Sequence, residues 1–335
     1  MGGSWRDSLV PGSVLGDLRV ERRLGSGGMG EVFLASHVRT GEIRAVKVVN
    51  PEIADTDPAF SDQFIREAEF LMRTRHPNLV PVFGAERDSA TGLYYLVMEF
   101  EPGGSLRDQL QKSPGGLPFD FSVKVFREVL QALVQIEESG MVHRDVKPDN
   151  VLFGADGTAR LADLGASRFM QAPDAADAAS DKVIGTPAYM APEQMIDSRR
   201  VDTRADLYSL GLVVYEMLAG SRPNTGEGAM CSLAKAIGGR SFPDVRESRP
   251  DVSPALAVLV NELLLPDADE RPRSAALVLE LFENPDRILS AEVPVPAAPS
   301  EAVPWYRDRR VLYAGTAMLL ALEALGLALF RIMGR

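Results

Sequence analysis

The sequence predicts an α+β chain of two lobes, a small β-rich one ahead of a larger α-rich one, with one long apolar helix behind them. Three observations predict it. In the first hundred residues, short apolar or alternating runs are separated by Gly- and Pro-bearing turns, the pattern of strands. Beyond residue 105 the apolar positions recur with the 3.6-residue period of helices. Near the C-terminus, residues 311–330 read VLYAGTAMLLALEALGLALF with a single charge, Glu323. An α-helix of that length spans about 30 Å, the thickness of a bilayer's hydrocarbon core.

In order, strands are expected over 19–24, 32–36, 44–49, 80–85 and 94–100. One helix interrupts them. Asp57 can cap it, Pro58 can occupy its first turn, and Phe60, Phe64, Glu67, Ala68 and Leu71 fall on one face. Helices follow over 123–136 and 207–218, the second closed by Gly220. Residues 289–303, with Pro294, Pro296 and Pro299, form an extended tether. Trp305, Tyr306, Arg307, Arg309 and Arg310 precede the apolar stretch and Arg331 and Arg335 follow it, residue types that suit the two headgroup regions. A buried core helix or a surface amphipathic helix is the rival, favoured by Glu323, since a mid-membrane carboxylate costs about 2.5–3.5 kcal/mol. The leucines lie nearly all round the helix, so a span is expected. The divisions are an N-terminal segment 1–17, a domain 18–285 split into lobes 18–101 and 102–285, a Pro/Ala-rich linker 286–304, and a juxtamembrane and transmembrane anchor 305–335. There is no internal repeat.

Composition bounds the function. The 335 residues are 45% hydrophobic and 25% charged, which opposes a chain disordered throughout. Lys+Arg 36 against Asp+Glu 47 leaves a net charge of −11, and an acidic surface repels phosphate backbones, so no nucleic-acid partner is expected. A cationic pocket for one nucleotide is still allowed. Cys231 is the single cysteine and excludes an intrachain disulfide and a cysteine zinc cluster; it reads as a free thiol in a reducing compartment. The N-terminus lacks the apolar core of an export signal, and Arg6 stands where a myristoylation motif carries Ser or Thr.

Gly25, Gly27 and Gly30 with Val32 make G-x-G-x-x-G-x-V, and Ser26, Gly28 and Met29 complete the turn. Backbone without Cβ atoms lets N–H groups approach phosphate oxygens. Alone this motif is weak. A dinucleotide-binding unit would need a helix straight after the glycines, and here a strand follows. Lys47, in the alternating strand 44–49, would by default face solvent. Glu67 argues otherwise, because it is the one carboxylate on an apolar helix face and needs a partner. The strong signal is the run from His143 through Arg144, Asp145, Val146, Lys147, Pro148 and Asp149 to Asn150. A hairpin pattern over 151–162 follows it, and then Asp163-Leu164-Gly165. Asp145, Asn150 and Asp163 gather oxygen ligands and a proton acceptor on one β–turn–β platform, and oxygen ligands suit Mg2+ paired with nucleotide phosphates.

At these residues the chain closely resembles the eukaryotic-like (Hanks-type) serine/threonine protein kinases, specifically their bacterial membrane-anchored branch. The resemblance covers about 18–281, with the motifs in the family's order. It implies a bilobal protein-kinase-like fold and transfer of the ATP γ-phosphoryl group to Ser/Thr hydroxyls of proteins, autophosphorylation included, in signalling at the membrane. It further implies that residues 25–32 cover the ATP phosphates and that Lys47, positioned by Glu67, binds the α/β phosphates. Asp145 would accept the hydroxyl proton, Lys147 would contact the γ-phosphate, and Asn150 and Asp163 would hold Mg2+, with Mn2+ as an alternative ion. Met98 would be the gatekeeper, the backbone of Glu99 and Glu101 would meet the adenine edge, and Leu24, Val32, Ala45 and Leu152 would sandwich the ring. The Asp-x-Lys-Pro-x-Asn form marks Ser/Thr rather than Tyr kinases.

Residues 185–193, GTPAYMAPE, resemble the family's substrate-facing loop. Glu193 would pair with Arg271, and Asp206 would brace the catalytic-loop backbone; both roles are structural. Leu164 departs from the usual Phe but stays apolar. Arg144, Ser180 and Thr186 are the expected regulatory residues. In the family an arginine before the catalytic aspartate marks kinases switched on by an activation-loop phosphate, and Ser180 is the expected phosphosite because Thr186 and Tyr189 belong to the substrate-facing segment and Ser167 lies too near Asp163. Constitutive pairing of Arg144 with Asp174, Asp177 or Asp181 is the rival. Only five residues follow the span, so no extracytoplasmic sensor is expected; the kinase would face the cytosol because ATP is there, and a homodimer is left open. A non-catalytic pseudokinase would lack Lys47, Asp145 or Asp163, and a small-molecule phosphotransferase would not need the 185–193 segment.

Overall fold

The computed structural model of the chain describes residues 9–27, 30–54, 60–163, 168–169, 188–196, 201–223 and 242–289. Gly28, Met29, Asp57, Pro58, Leu164, Ser180, Thr186 and the expected anchor lie outside them. Among the described residues no helix is long and apolar enough to cross a membrane.

Six strands form the first lobe: β1 Val14–Leu15, β2 Leu18–Gly27, β3 Gly30–His37, β4 Ile43–Val49, β5 Val82–Arg87 and β6 Tyr94–Glu99. They make one antiparallel sheet in the order β1-β2-β3-β4-β6-β5. Side chains of a strand alternate between faces, so β4 supplies two cores. Val46 and Val48 join Leu15, Val20, Phe33, Ala35 and Tyr95 on one side, while Ala45 joins Leu71, Val82 and Met98 on the other. Lys47 stands two residues after Ala45 and therefore shares its face, opposite Val32 and Leu96 in register. That is how a strand lysine comes to be only 9% exposed.

Gly27 pairs with Gly30, so a strand does follow the glycines. The three glycines of the motif differ sharply. Gly30 has φ +152°, and a Cβ there would lie 1.9 Å from the Val48 carbonyl oxygen, whereas a Cβ on Gly25 or Gly27 would meet nothing within 4 Å.

Two helices, α1 Pro51–Ala54 and α2 Phe60–Arg73, separate β4 from β5. Ala68 and Leu71 of α2 are buried and Phe64 meets Tyr94 edge-on at 5.6 Å. The connection from α2 to β5 is anchored in the second lobe. Leu161 N–H donates to Asn78 O (2.8 Å), Val80 N–H to Leu161 O (3.0 Å), and Asn78 Nδ2 to Ala159 O (3.0 Å).

The second lobe opens with α3 Leu106–Lys112, started by a reciprocal cap between Ser105 and Asp108. Next come α4 Phe119–Glu138, β7 Met141–Val142, the hairpin of β8 Val151–Phe153 and β9 Ala159–Leu161, and β10 Arg168–Phe169, which pairs with β7. Helices α5 Pro192–Ile196, α6 Thr203–Ala219, α7 Val245–Ser248, α8 Pro254–Leu263, α9 Ala275–Glu283 and α10 Pro285–Leu289 complete it. The helices expected over 123–136 and 207–218 are α4 and α6. Helix α6 is apolar nearly all round, and such a helix belongs at the centre of a core. It is buried almost throughout, with α4 and α8 packed on it. Asp202 caps its first turn, and Gly220, at φ +78°, closes its last with an N–H to Glu216 O (2.9 Å).

Candidate active site

The site lies where the lobes meet. Lys47 of β4 reaches Asp163, the residue two past β9, and their ion pair joins the lobes. The expected partner Glu67 sits on the α2 backbone, and its pairing with Lys47 lies outside the described side chains. Asp163 has φ +63° and Arg144 φ +69°, the two non-glycine residues with positive φ among those described. Such conformations cost of order 1–3 kcal/mol each and persist only where the surroundings impose them.

The surroundings here can be named. Asp206, in the first turn of α6, is 2% exposed. Its carboxylate accepts the N–H groups of His143 and Arg144, each at 2.7 Å. Burial pushes the Asp206 carboxyl up, opposed by those two donors and by the charge of Arg144. From the other side Gln194 Nε2 donates to Arg144 O at 2.7 Å. His143 is fully buried, and its Nδ1 accepts the Asp145 N–H (3.2 Å). The proton must therefore sit on Nε2, which donates to Ala162 O (3.1 Å), next to Asp163. One ring thus ties the segment of Asp145 to the segment of Asp163.

Asp145 Oδ2 receives Lys147 Nζ at 2.6 Å and Asn150 Nδ2 at 3.0 Å. A short 3₁₀ turn, Pro148–Asn150, brings Asn150 back, and its Nδ2 also donates to Asp145 O (2.8 Å). With Nδ2 committed to Asp145, the oxygen donor of Asn150 is its Oδ1. One carboxylate, Asp163, and one amide oxygen make a sparse donor set, and among the described residues no three His, Cys, Asp or Glu gather to hold a metal. That suits Mg2+, which keeps waters and takes phosphate oxygens, and does not suit a zinc cage.

Beside this polar centre is an apolar slot. Ala45 and Met98 face each other across β4 and β6, and Val32 and Leu152 pack on the same cluster. Leu24 stays at the rim, 36% exposed. Gly25, Ser26 and Gly27 close the β2 end of the hairpin. Glu99 N–H donates to Pro81 O (2.9 Å). Glu101 is buried, and burial pushes its carboxyl up while Arg160 Nη1, 2.7 Å away, opposes this. Arg160 also lies 3.6 Å from Glu99 and donates from Nε to Pro77 O (3.2 Å). It thereby fixes the chain between the lobes to the turn after α2. Sequence reasoning missed Arg160; the clue was a charge directly opposite Leu152 in an otherwise apolar hairpin.

Glu193 and Arg271 meet as the resemblance implies. Arg271 is 1% exposed and spends all five N–H groups: Nη1 on Glu193 Oε1 (2.7 Å) and Arg204 O (3.0 Å), Nη2 on Glu193 Oε2 (2.9 Å) and Pro266 O (3.0 Å), Nε on Leu265 O (2.7 Å).

The protein kinase domain family matches residues 18–282. The chain belongs to the protein kinase family. It is 37% identical over 297 residues to a serine/threonine-protein kinase, pkn2, of Myxococcus xanthus, a match that covers 85% of this chain and 35% of the relative. Against the serine/threonine-protein kinase PknB of Mycobacterium leprae the identity is 34%, covering 78% of this chain and 41% of the other. A DNA damage-responsive serine/threonine-protein kinase, RqkA, of Deinococcus radiodurans is 33% identical, with 82% and 40% covered. The chain thus matches well under half the length of each of those relatives, all three named serine/threonine-protein kinases. The bilobal fold expected of a kinase is the one described above; the expected membrane helix lies outside the described residues.

Proposed function

We propose that this kinase transfers the γ-phosphoryl group of ATP to Ser/Thr hydroxyls of proteins, its own included, while anchored to a membrane through residues 311–330. The observation that carries the reading is the Asp145 carboxylate, held by both Lys147 Nζ and Asn150 Nδ2. Asp145 orients the acceptor hydroxyl and takes its proton as the new O–P bond forms and the bond from Pγ to the β,γ-bridging oxygen breaks. Lys147, already beside Asp145, stabilises negative charge on the transferring group. Lys47 would leave Asp163 to hold the α/β phosphates, and Asp163 and Asn150 Oδ1 are the oxygens that would hold Mg2+. When bound, Mg2+ offsets phosphate charge. Ala45, Val32, Met98 and Leu152 enclose the adenine, and Glu99 and Glu101 present backbone to its edge.

The test is phosphosite mapping after incubation of the purified chain with ATP, Mg2+ and candidate proteins. Phosphoserine or phosphothreonine should form with the wild type and be absent with Asp145→Asn. Modification confined to small molecules would overturn the reading. Ser180→Ala should lower kcat toward an added substrate if Ser180 phosphate orders its loop against Arg144; an unchanged kcat would remove that role. For the anchor, carbonate or high salt should fail to strip the full chain from membranes, and deletion of 305–335 should release active enzyme.

A further inference from the structure

Arg107, in the first turn of α3, is placed where no local stability argument requires it. Its Nη1 donates to Glu216 Oε1 of α6 at 2.9 Å, its Nη2 to the Tyr189 hydroxyl, and its Nε to Asp149 Oδ2 at 3.3 Å. The Tyr189 hydroxyl in turn donates to Glu216 Oε2. These partners are not arbitrary. Asp149 immediately precedes Asn150 in the catalytic loop, and Tyr189 belongs to the segment 185–193 that resembles the substrate-facing loop. Glu216 is almost buried, with a side chain 10% exposed, whereas Asp149 is 51% exposed, so the cluster reaches the surface at the catalytic loop.

A second guanidinium confirms the electrostatics. Arg222 lies 5.2 Å from the centre of the Tyr189 ring and donates to Ala188 O (3.0 Å), while Arg107 lies 5.6 Å from the same ring. Two carboxylates and two guanidiniums leave no net charge. Two carboxylates beside a catalytic loop would attract an arginine or lysine of an incoming peptide. Here the planar fork of Arg107 already occupies the volume between them, and a second cation can neither enter it nor find uncompensated charge.

We propose that Arg107 is a specificity-determining residue: its guanidinium fills, from within the chain, the place beside the catalytic loop that a basic side chain of an acceptor would take, so the preferred acceptors are Ser/Thr segments without Arg or Lys there. This rests on the protein-kinase reading above and names its substrate class.

The experiment is an array of Ser/Thr peptides carrying Arg, Ala or Glu at each flanking position, phosphorylated by the wild-type chain and by Arg107→Ala. The wild type should not favour Arg over Ala at any position. Arg107→Ala should gain about tenfold in kcat/KM for Arg in one register, the size of one charge-assisted hydrogen bond. The gain should appear in the KM for peptide and not in the KM for ATP, and adding Glu216→Gln should remove it. Should Arg107→Ala not fold, Arg107→Gln removes the charge but keeps a stem and gives the same readout. Selection of Arg by the wild type would overturn the proposal whichever variant folds. An active wild type whose profile Arg107→Ala leaves unchanged would remove the role of Arg107 alone, whereas failure of the wild type to phosphorylate any peptide or itself would remove the kinase reading too.

Discussion

Two ion pairs of this molecule, Arg271 with Glu193 and Lys47 with Asp163, each join a cation to a carboxylate from a distant part of the chain and differ in kind. The first is enclosed: the arginine is buried, meets both carboxylate oxygens, and spends its remaining N–H groups on three carbonyls. The second joins the two lobes across the cleft, and its aspartate keeps a side chain 34% exposed and a backbone at φ +63°. A fully satisfied buried pair cannot exchange partners without leaving charge unpaired. A pair whose carboxylate is partly open to water at a cleft can hand each member to a new partner at little cost. The difference separates what holds the fold from what is spent on the ligand.

Lys47→Met gives the largest effect, on activity. Phosphoryl transfer should fall by orders of magnitude while thermal unfolding stays cooperative, with stability moved by about 1 kcal/mol or less, because Asp163 can be hydrated. Arg271→Ala should do the reverse. It strands Glu193 and three carbonyls, and denaturant unfolding should show a loss of about 3–5 kcal/mol. Arg271→Lys should recover little, since one ammonium cannot span two carboxylate oxygens and three carbonyls. If Arg271→Ala left stability untouched, the contrast between the pairs would collapse.

A smaller effect sharpens the comparison on the surface. Asp244 caps α7, accepting the Arg246 N–H, and pairs with the Arg246 side chain, which holds its carboxyl down at about 2. A depressed carboxyl stabilises the fold above its unfolded value, and that stability is lost as pH falls toward the folded one. Asp244→Ala should therefore cost about 0.5–2 kcal/mol near neutral pH. The gap from wild type should narrow as pH is lowered from about 4 toward 2. Denaturant melts at two pH values measure it.

What was legible in the sequence follows the distance over which residues communicate. Asp145, Lys147 and Asn150 lie within six positions, so a 3₁₀ turn brings them together and their spacing exposes them. The strand lysine Lys47 could be read only with help from Glu67, because alternation says which residues share a face and not which face is buried. Strand and helix periods gave β2 to β6, α4 and α6 to within a few residues. The two-residue strands β1, β7 and β10 carry too few positions for any period to register. Arg160 and Arg107 escaped for another reason. Their partners lie 59 and 109 residues away, and a lone arginine on a surface-like position looks the same whether it is solvated or clamped.

Measured as protein retained by a cell and, separately, as output per molecule, the glycine turn should split in two. Alanine at Gly27 places a carbon in open space, so abundance should stay near wild type and the defect should shrink as ATP is raised. Alanine at Gly30 drives a carbon to 1.9 Å from the Val48 carbonyl oxygen, so the molecule should be cleared by proteolysis, faster on warming, with little rescue from nucleotide. Alleles three residues apart in one motif would then behave genetically as strangers, one failing for want of ligand and the other for want of protein.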